Sequence, residues 1–426
     1  MLKQMMSRMM RRMMRQIIAV MLMICFITGI VAVPVYAEEH FGNGKATEIY
    51  TTSKTKELKA VWISYLEFKS TGYTKKEFQT QITKMFNNVV AQGMNAVVVH
   101  VRPFGDAMYK SSYFPWSKYC SGTQGKYPGF DPLEIMVTEA HKRGLQFHAW
   151  INPYRVTLSN TDITTLAANN PARKWLTDKY KGNDRYILSY GGNLYYNPGS
   201  VVVRKLIRKG VKEIVQNYDV DGIHFDDYFY PTLGSNYKKL FDAPEYQKYV
   251  TDCKDKGVKN VLSIAKWRRR NVNWLIKNLY NDIKKVDSKI VFGISPGGYL
   301  DTLLMDDRYY VDIKTWMGKA GYVDYICPQI YWGFNHSIYP FDKTVKRWKA
   351  LLKTNRVDLY IGIPVYKVGT TEEPEFKNNP NILVDMVNFC QNSGSVSGYM
   401  FYRYDYFYRS ITKKAVKLLI DKLSQS

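Results

Sequence analysis

The chain has 426 residues, of which 46% are hydrophobic and 15% aromatic, and carries a formal net charge of +24. This is enough chain for one large domain or two ordinary ones. Its five cysteines are spaced neither as a metal site nor as a dense disulfide framework, and the excess of basic residues speaks about partners rather than fold.

Met1–Gln16 holds Lys3, Arg8, Arg11, Arg12 and Arg15 and no acid. Ile17–Val33 is an apolar run, and Val35-Tyr36-Ala37 fits a small-residue cleavage site before Glu38. Residues 1–37 therefore read as a secretory signal peptide. The competing reading is an uncleaved membrane anchor, because the apolar run approaches the lower limit for a span. Cleavage would lower the formal charge from +24 to +19 by removing those five basic residues. The expected location is secreted, extracellular or wall-associated, with no stable membrane insertion once the signal is gone. The charge then suits anionic wall polymers or an acidic glycan. Nucleic acid is not expected of an exported chain without a binding motif. Of the later cysteines, Cys327 and Cys390 fall in apolar segments and read as buried thiols, while a Cys120–Cys253 bridge stays open.

Residues 38–56 are a polar lead-in, and residues 57–426 alternate strands with helices. Strands are expected at Ala60–Tyr65, Ala96–Arg102, Gln146–Asn152, Gly222–Asp226, Ile290–Ser295, Tyr325–Trp332, Leu359–Val365 and Gly398–Arg403. Thr74-Lys75-Lys76-Glu77 is a capping box ahead of Phe78, Ile82, Met85, Phe86 and Val89 at helical spacing. Asp131-Pro132 and Ser200 open further helices. Segments after strands are long, such as Pro103–Phe130, Pro153–Gly199 and Phe229–Arg270, while those before strands are short. Eight strands with this asymmetry predict a single (β/α)8 TIM barrel of the α/β class, with long loops on the C-terminal face of the strands, where such barrels build their sites.

The stretch Tyr218–Pro231, YDVDGIHFDDYFYP, organises the rest. Strand alternation puts Ile223 and Phe225 on one face and His224, Asp226 and Tyr228 on the other. Charge on one face of a buried parallel strand, at its C-terminal end, marks a site. The same parity places His100 with Arg102, groups Asn152 with His148 and Trp150 just before Arg155, and pairs Gln329 with Tyr331. Polar groups thus gather at one end of at least five strands. Aromatic residues in the loops, among them Tyr109, Tyr196, Tyr230 and Trp332, suit the stacking of sugar faces and would be exposed without a ligand.

The runs NAVVVHVRPFGDAMYKSSYFPWS, GKYPGFDPLEIMVTEAHKRGLQFHAWINPYRV, YNPGS, DGIHFDDYFYP, WRRRNVNWLI, GISPGGY and YICPQIYWGF resemble the bacterial glycosyl-hydrolase-like family 10 across about residues 57–410. The resemblance implies an exported TIM barrel that cleaves a polysaccharide, with peptide-free cell-wall glycan as the implied substrate. It brings Arg102, Asn152, Arg155, His224, Asp226, Asp227, Gln329 and Trp332 to the cleft. The DGIHFD run also resembles the fourth-strand motif of the alpha-amylase family, whose final Asp is the nucleophile, and so points to Asp226.

Substrate contacts are expected from Arg102, His100, Asn152, Arg155, His224, Tyr228, Gln329, Tyr331 and Trp332. Catalysis by carboxylates needs a second group. The next strand ends Ser295-Pro296-Gly297-Gly298 without a Glu, which leaves Asp227 or Glu67 as the acid, with Asp106 and Asp405 weaker candidates. Neither metal nor cofactor is expected. Two other readings stand beside a hydrolase. One is a wall-associated glycan-binding barrel without catalysis. The other is an esterase or deacetylase, for which the chain lacks a Gly-x-Ser-x-Gly elbow.

Overall fold

A computed structural model describes residues 57–227 and 229–425. The expected signal peptide and polar lead-in, and Tyr228, lie outside the described residues.

Eight parallel strands close a barrel in the order β1-β10-β9-β8-β7-β6-β3-β2. They are β1 (Leu58–Ile63), β2 (Ala96–Arg102), β3 (Gln146–Ile151), β6 (Gly222–Phe225), β7 (Val291–Ile294), β8 (Tyr325–Ile326), β9 (Asp358–Pro364) and β10 (Gly398–Tyr402). The TIM barrel expected from the sequence is the fold observed. An antiparallel hairpin, β4 (Ile187–Tyr190) with β5 (Asn193–Tyr196), rises within the long segment after β3. It went unforeseen, although Gly191-Gly192 between two aromatic runs carries the signal for it.

The helices form where the sequence supplies caps. The Thr74 hydroxyl accepts from the Glu77 amide at 3.2 Å, and the Glu77 carboxylate accepts from the Thr74 amide at 2.8 Å. The helix Lys75–Ala91 then buries Phe78, Ile82, Met85, Phe86 and Val89 against the barrel. Asp131 caps Pro132–His141 and Ser200 caps Val201–Asn217. Each such cap contributes about 1 kcal/mol by satisfying amides that have no partner inside the helix.

Two apolar layers follow from strand alternation. Val97, Val99, Ile223 and Phe225 face the helices. Ala60, Trp62, Val98, Trp150, Tyr325 and Met400 fill the barrel interior. Two strand glycines open room there. A Cβ on Gly293 would lie 2.0 Å from the Tyr325 ring, and one on Gly222 would lie 2.8 Å from the His148 ring. Some of the loop aromatics correct the expectation of exposure: Tyr109, Tyr196 and Tyr230 are buried, because the long loops pack into a layer of their own over the strand ends, while others such as Tyr113, Trp116, Tyr195 and Tyr339 are half-buried. Cys120, Cys253, Cys327 and Cys390 are all buried free thiols, so the bridge left open above is not formed.

Candidate active site

β6 ends at Phe225, and the chain then places Asp226 and Asp227 at the C-terminal mouth of the barrel. Asp226 is 3% exposed, and its Oδ2 accepts from Trp150 Nε1 at 3.3 Å. Trp150 stacks on His100 with ring centroids 3.3 Å apart, and His100 Nε2 meets Asn152 Oδ1 at 3.2 Å. Side chains of β2, of β3 and of the residue just after β3 therefore fix the carboxylate of the residue that follows β6.

Asp227 is half-buried. Loss of solvation pushes its carboxyl up to about 6, against the opposing pull of its own amide and of the Arg155 guanidinium. Tyr331 feels its charge. Burial, Tyr402 and nearby groups including Asp227 push the Tyr331 phenol well up, so it stays a neutral O–H donor. Tyr331, Tyr366 and Tyr402 form a half-exposed aromatic wall, with centroid separations of 5.7 Å from Tyr331 to each of the others. Gln329 extends the wall, its amide donating to the Ser295 carbonyl at 3.1 Å. Tyr366 was not singled out from the sequence; it stands in the short 3-10 turn Val365–Lys367 just past β9, where strand parity no longer applies.

Below this mouth lies a chain of neutral groups. Trp62 Nε1 donates to His224 Nε2 at 3.2 Å. An indole N–H is only a donor, so the His224 proton must sit on Nδ1, which is 2.9 Å from Tyr325 Oη. Tyr325 Oη can then donate to His148 Nδ1 at 3.0 Å, leaving His148 Nε2–H for Gln146 Oε1 at 3.3 Å. Burial holds both imidazoles neutral, His148 pushed down to about 4 and His224 well below the usual histidine range. His100 is likewise held neutral by burial. His100, Asn152 and His224 are thus buried supports of the cleft floor rather than part of its surface.

Three further expectations are corrected. Arg102 does not share a face with His100. The register shifts between them, so that His100 pairs with inward-facing Trp150 while Arg102 pairs with outward-facing Ile151. This bulge turns the guanidinium under the loop after β2, onto the Phe114 ring at 4.5 Å, and it is 1% exposed. Trp332 is 2% exposed and stacks on Tyr299 at 4.0 Å, so it packs the loop rather than offering a platform. Trp332→Ala is accordingly expected to cost about 3 kcal/mol of stability through the cavity it leaves. Calorimetric melting and glycan affinity, measured together, check this: the melt should drop and the affinity of the folded protein should hold.

Glu67 is the third. Its Oε2 accepts from the Ser64 amide and hydroxyl, both at 2.7 Å, as the cap of a short helical turn. Its Oε1 is ion-paired with Arg403, with side-chain exposures of only 5% and 11%. Both oxygens are thus committed to the cap and to Arg403, so Glu67 serves the fold of this turn. Glu67→Gln is expected to lower stability by roughly 1–3 kcal/mol, because Arg403 loses its buried counter-ion. Turnover measured below the melting temperature should be changed far less than the melt.

Among the described residues, no three His, Cys, Asp or Glu side chains converge as metal ligands. The closed parallel barrel, with a carboxyl pair at its mouth beside a tyrosine wall, is of the kind found in TIM-barrel glycoside hydrolases, enzymes that act on polysaccharides.

The comparisons agree. The model of glycosyl hydrolase-like 10 matches residues 57–378, and the chain belongs to that family. It is 37% identical over 362 residues to glycosyl hydrolase YngK of Bacillus subtilis, covering 81% of this chain and 68% of that one. It is 34% identical over 365 residues to glycosyl hydrolase DigH of Escherichia coli K12, covering 82% and 80%. Among solved structures, the glycoside hydrolase domain of PgaB from Bordetella bronchiseptica superposes with a TM-score of 0.57 at 13% identity, covering 87% of this chain and all of that one. An endo-1,4-beta-mannanase from Rhizomucor miehei gives 0.51 at 10% identity, covering 88% and 96%. At those identities the structures share the fold.

Proposed function

We propose that the chain is an exported hydrolase of bacterial cell-wall glycan freed of its peptide, with Asp227 as proton donor and Asp226 as the carboxylate that stabilises the reacting ring. The observation that carries this reading is Asp227 itself. Burial at the strand end raises its carboxyl to about 6, so that it keeps a proton near the pH where it must give one up. The neighbouring Asp226 is oriented by an indole N–H rather than neutralised by it.

Three features support the substrate. The N-terminal basic and apolar run reads as an export signal, the formal charge of +19 left after its removal (24 − 5) favours anionic surroundings, and Arg155 stands close enough to Asp227 to act on its charge. N-acetylmuramic acid gains a free carboxylate when its peptide is removed, and Arg155 is the cation of the mouth that suits it. The test is incubation with purified wall glycan, with and without peptide stems, at low and high salt. The reading expects faster cleavage of the stripped glycan. It also expects that binding of a short stripped oligosaccharide weakens less with salt than binding to whole walls, since a half-buried contact is screened less. Equal cleavage of both glycans would remove the preference for stripped wall, and no cleavage of either would remove the substrate.

A further inference from the structure

The cleft accounts for little of the chain's excess positive charge, and one flank of the barrel gathers much of the rest. β6 is bracketed in the sequence by two long outer helices, Val201–Asn217 before it and Ile264–Val286 after it. They pack side by side. The Arg208 guanidinium of the first donates to both Asp282 oxygens of the second, at 2.7 and 2.9 Å. Arg204 and Arg208 both lie over the Trp274 ring, at 5.1 and 5.2 Å. Each helix turns its apolar face inward, burying Val203, Ile207 and Ile214 on the first and Leu275, Leu279 and Ile283 on the second.

The outer face that remains is basic. It exposes Lys205, Lys209 and Lys212 on the first helix. On the second it exposes Lys266, Arg270, Lys277 and Lys285. The acids of the two helices are Glu213 and Asp282, and neither offsets this charge. Glu213 is buried, accepting from the Ser111 hydroxyl at 2.6 Å and the Ser112 amide at 2.7 Å, and Asp282 is held by Arg208. The exposed acids Asp219 and Asp287 lie past the helix ends. Other outer helices pair exposed cations with acids, Lys248 with Asp252, Arg347 with Asp301 and Lys417 with Asp421. Among the described residues, none of the exposed cations of this flank is in an ion pair. Their spacing opposes helix formation. Lys205 and Lys209 stand one turn apart, as do Lys266 and Arg270, and like charges at that spacing repel. Lys266 also sits in the first turn of its helix, where the macrodipole favours an acid and none is present.

Resting on the reading of the chain as an exported wall enzyme, we infer that this flank docks a linear anionic wall polymer carrying a phosphodiester in each repeat. Charge complementarity carries the assignment: the face has one sign of charge, no internal counter-ion and a repulsion that a polyanion relieves. Lys266 to Lys285 spans about 28 Å at 1.5 Å per residue, room for several repeats of an extended chain. All the exposed cations but Arg270 are Lys, mobile point charges that follow phosphate oxygens, whereas a planar carboxylate is best met by the fork of Arg. Both helices follow barrel strands, so their N-terminal ends lie toward the face where the cleft opens. The polymer therefore tethers the enzyme along the flank outside β6 and leaves the mouth free for glycan. Nucleic acid shares the phosphodiester but does not share the exported location.

The experiment measures binding of poly(glycerol phosphate) by calorimetry over a range of salt concentrations. Three proteins are compared: wild type, the flank variant Lys205→Gln/Lys209→Gln/Lys212→Gln/Lys277→Gln, and the control Lys75→Gln/Lys76→Gln/Lys84→Gln/Lys414→Gln. The control removes the same charge from exposed positions elsewhere. Gln is as good a helix former as Lys, so all three should fold, which circular dichroism and melting check. The flank variant should bind on the order of 10²-fold more weakly, and its slope of log K against log salt should shrink by about 3. The control should bind within a few-fold of wild type. The polymer should raise the melting temperature of wild type and control but not of the flank variant. Equal weakening in both variants means that only total charge matters and overturns the inference. Tighter binding of wild type to duplex DNA of equal phosphate content overturns it as well. None of these readouts involves cleavage, so a failure of docking leaves the wall-glycan hydrolase standing. A failure to cleave wall glycan would overturn that reading without altering the binding measured here.

Discussion

Asp227→Asn is expected to lower kcat on the order of 10³–10⁴-fold while the folded chain becomes more stable at neutral pH. The first effect is the loss of a general acid. It should be largest for natural glycans, whose leaving oxygen is a poor anion, and should nearly vanish for an aryl glycoside that departs without a proton. The wild-type rate should fall as pH rises through about 6, where Asp227 loses its proton, and the variant should lack that limb. The second effect has a sign that can be worked out. The folded chain binds this proton more tightly than the unfolded chain, whose aspartate keeps the ordinary value of 3.8. The stability it contributes is whole below about pH 4 and is lost as pH rises through about 6. Asn never ionises, so the melting temperature of the variant should exceed that of the wild type at pH 7 and converge with it toward pH 4. A variant that melts lower at pH 7 and still loses rate as pH rises through about 6 would show that the buried proton is elsewhere.

Asp226→Asn is expected to abolish turnover by a similar factor, on the order of 10³-fold or more, but with a different signature. Asp226 stabilises charge on the reacting ring rather than protonating the departing oxygen, so an aryl leaving group should not rescue this variant. The Trp150 indole still finds an acceptor in the Asn carbonyl, so the cleft floor and the melt should be preserved. Side-by-side rates on natural and aryl glycosides therefore separate the two carboxyl groups. Rescue of Asp226→Asn by an aryl leaving group would exchange their roles.

Much of this architecture could be read from the chain. The alternation of apolar strands with capped helices gives the barrel, and the parity of Ile223-His224-Phe225-Asp226 gives the inward direction of Asp226. Parity failed where the backbone stopped being a regular strand. The bulge between His100 and Arg102 inserts a residue that no local pattern announces, and it rotates Arg102 out of the cleft. β8 is two residues long, so counting alternation from Tyr325 to Trp332 carried the argument past the end of the strand, and Trp332 fell into the core. Glu67 was legible and misread. Ser64-Tyr65-Leu66-Glu67 is a capping box, the same signal recognised at Thr74, and it already commits the carboxylate to structure. Tyr402 looks like an ordinary strand aromatic and Tyr366 lies in the 3-10 turn after β9, and only closure of the barrel brings them beside Tyr331.

The pair at the end of β6 is the centre of the account, and release of new reducing ends from purified peptide-free wall glycan tests it most directly. Wild type, Asp226→Asn and Asp227→Asn would be compared at pH 5.5 after matching their circular dichroism and melts. The account predicts steady release by wild type and none above background by either folded variant. Release by both variants at close to the wild-type rate would contradict it, and would move the chemistry away from Asp226 and Asp227 altogether.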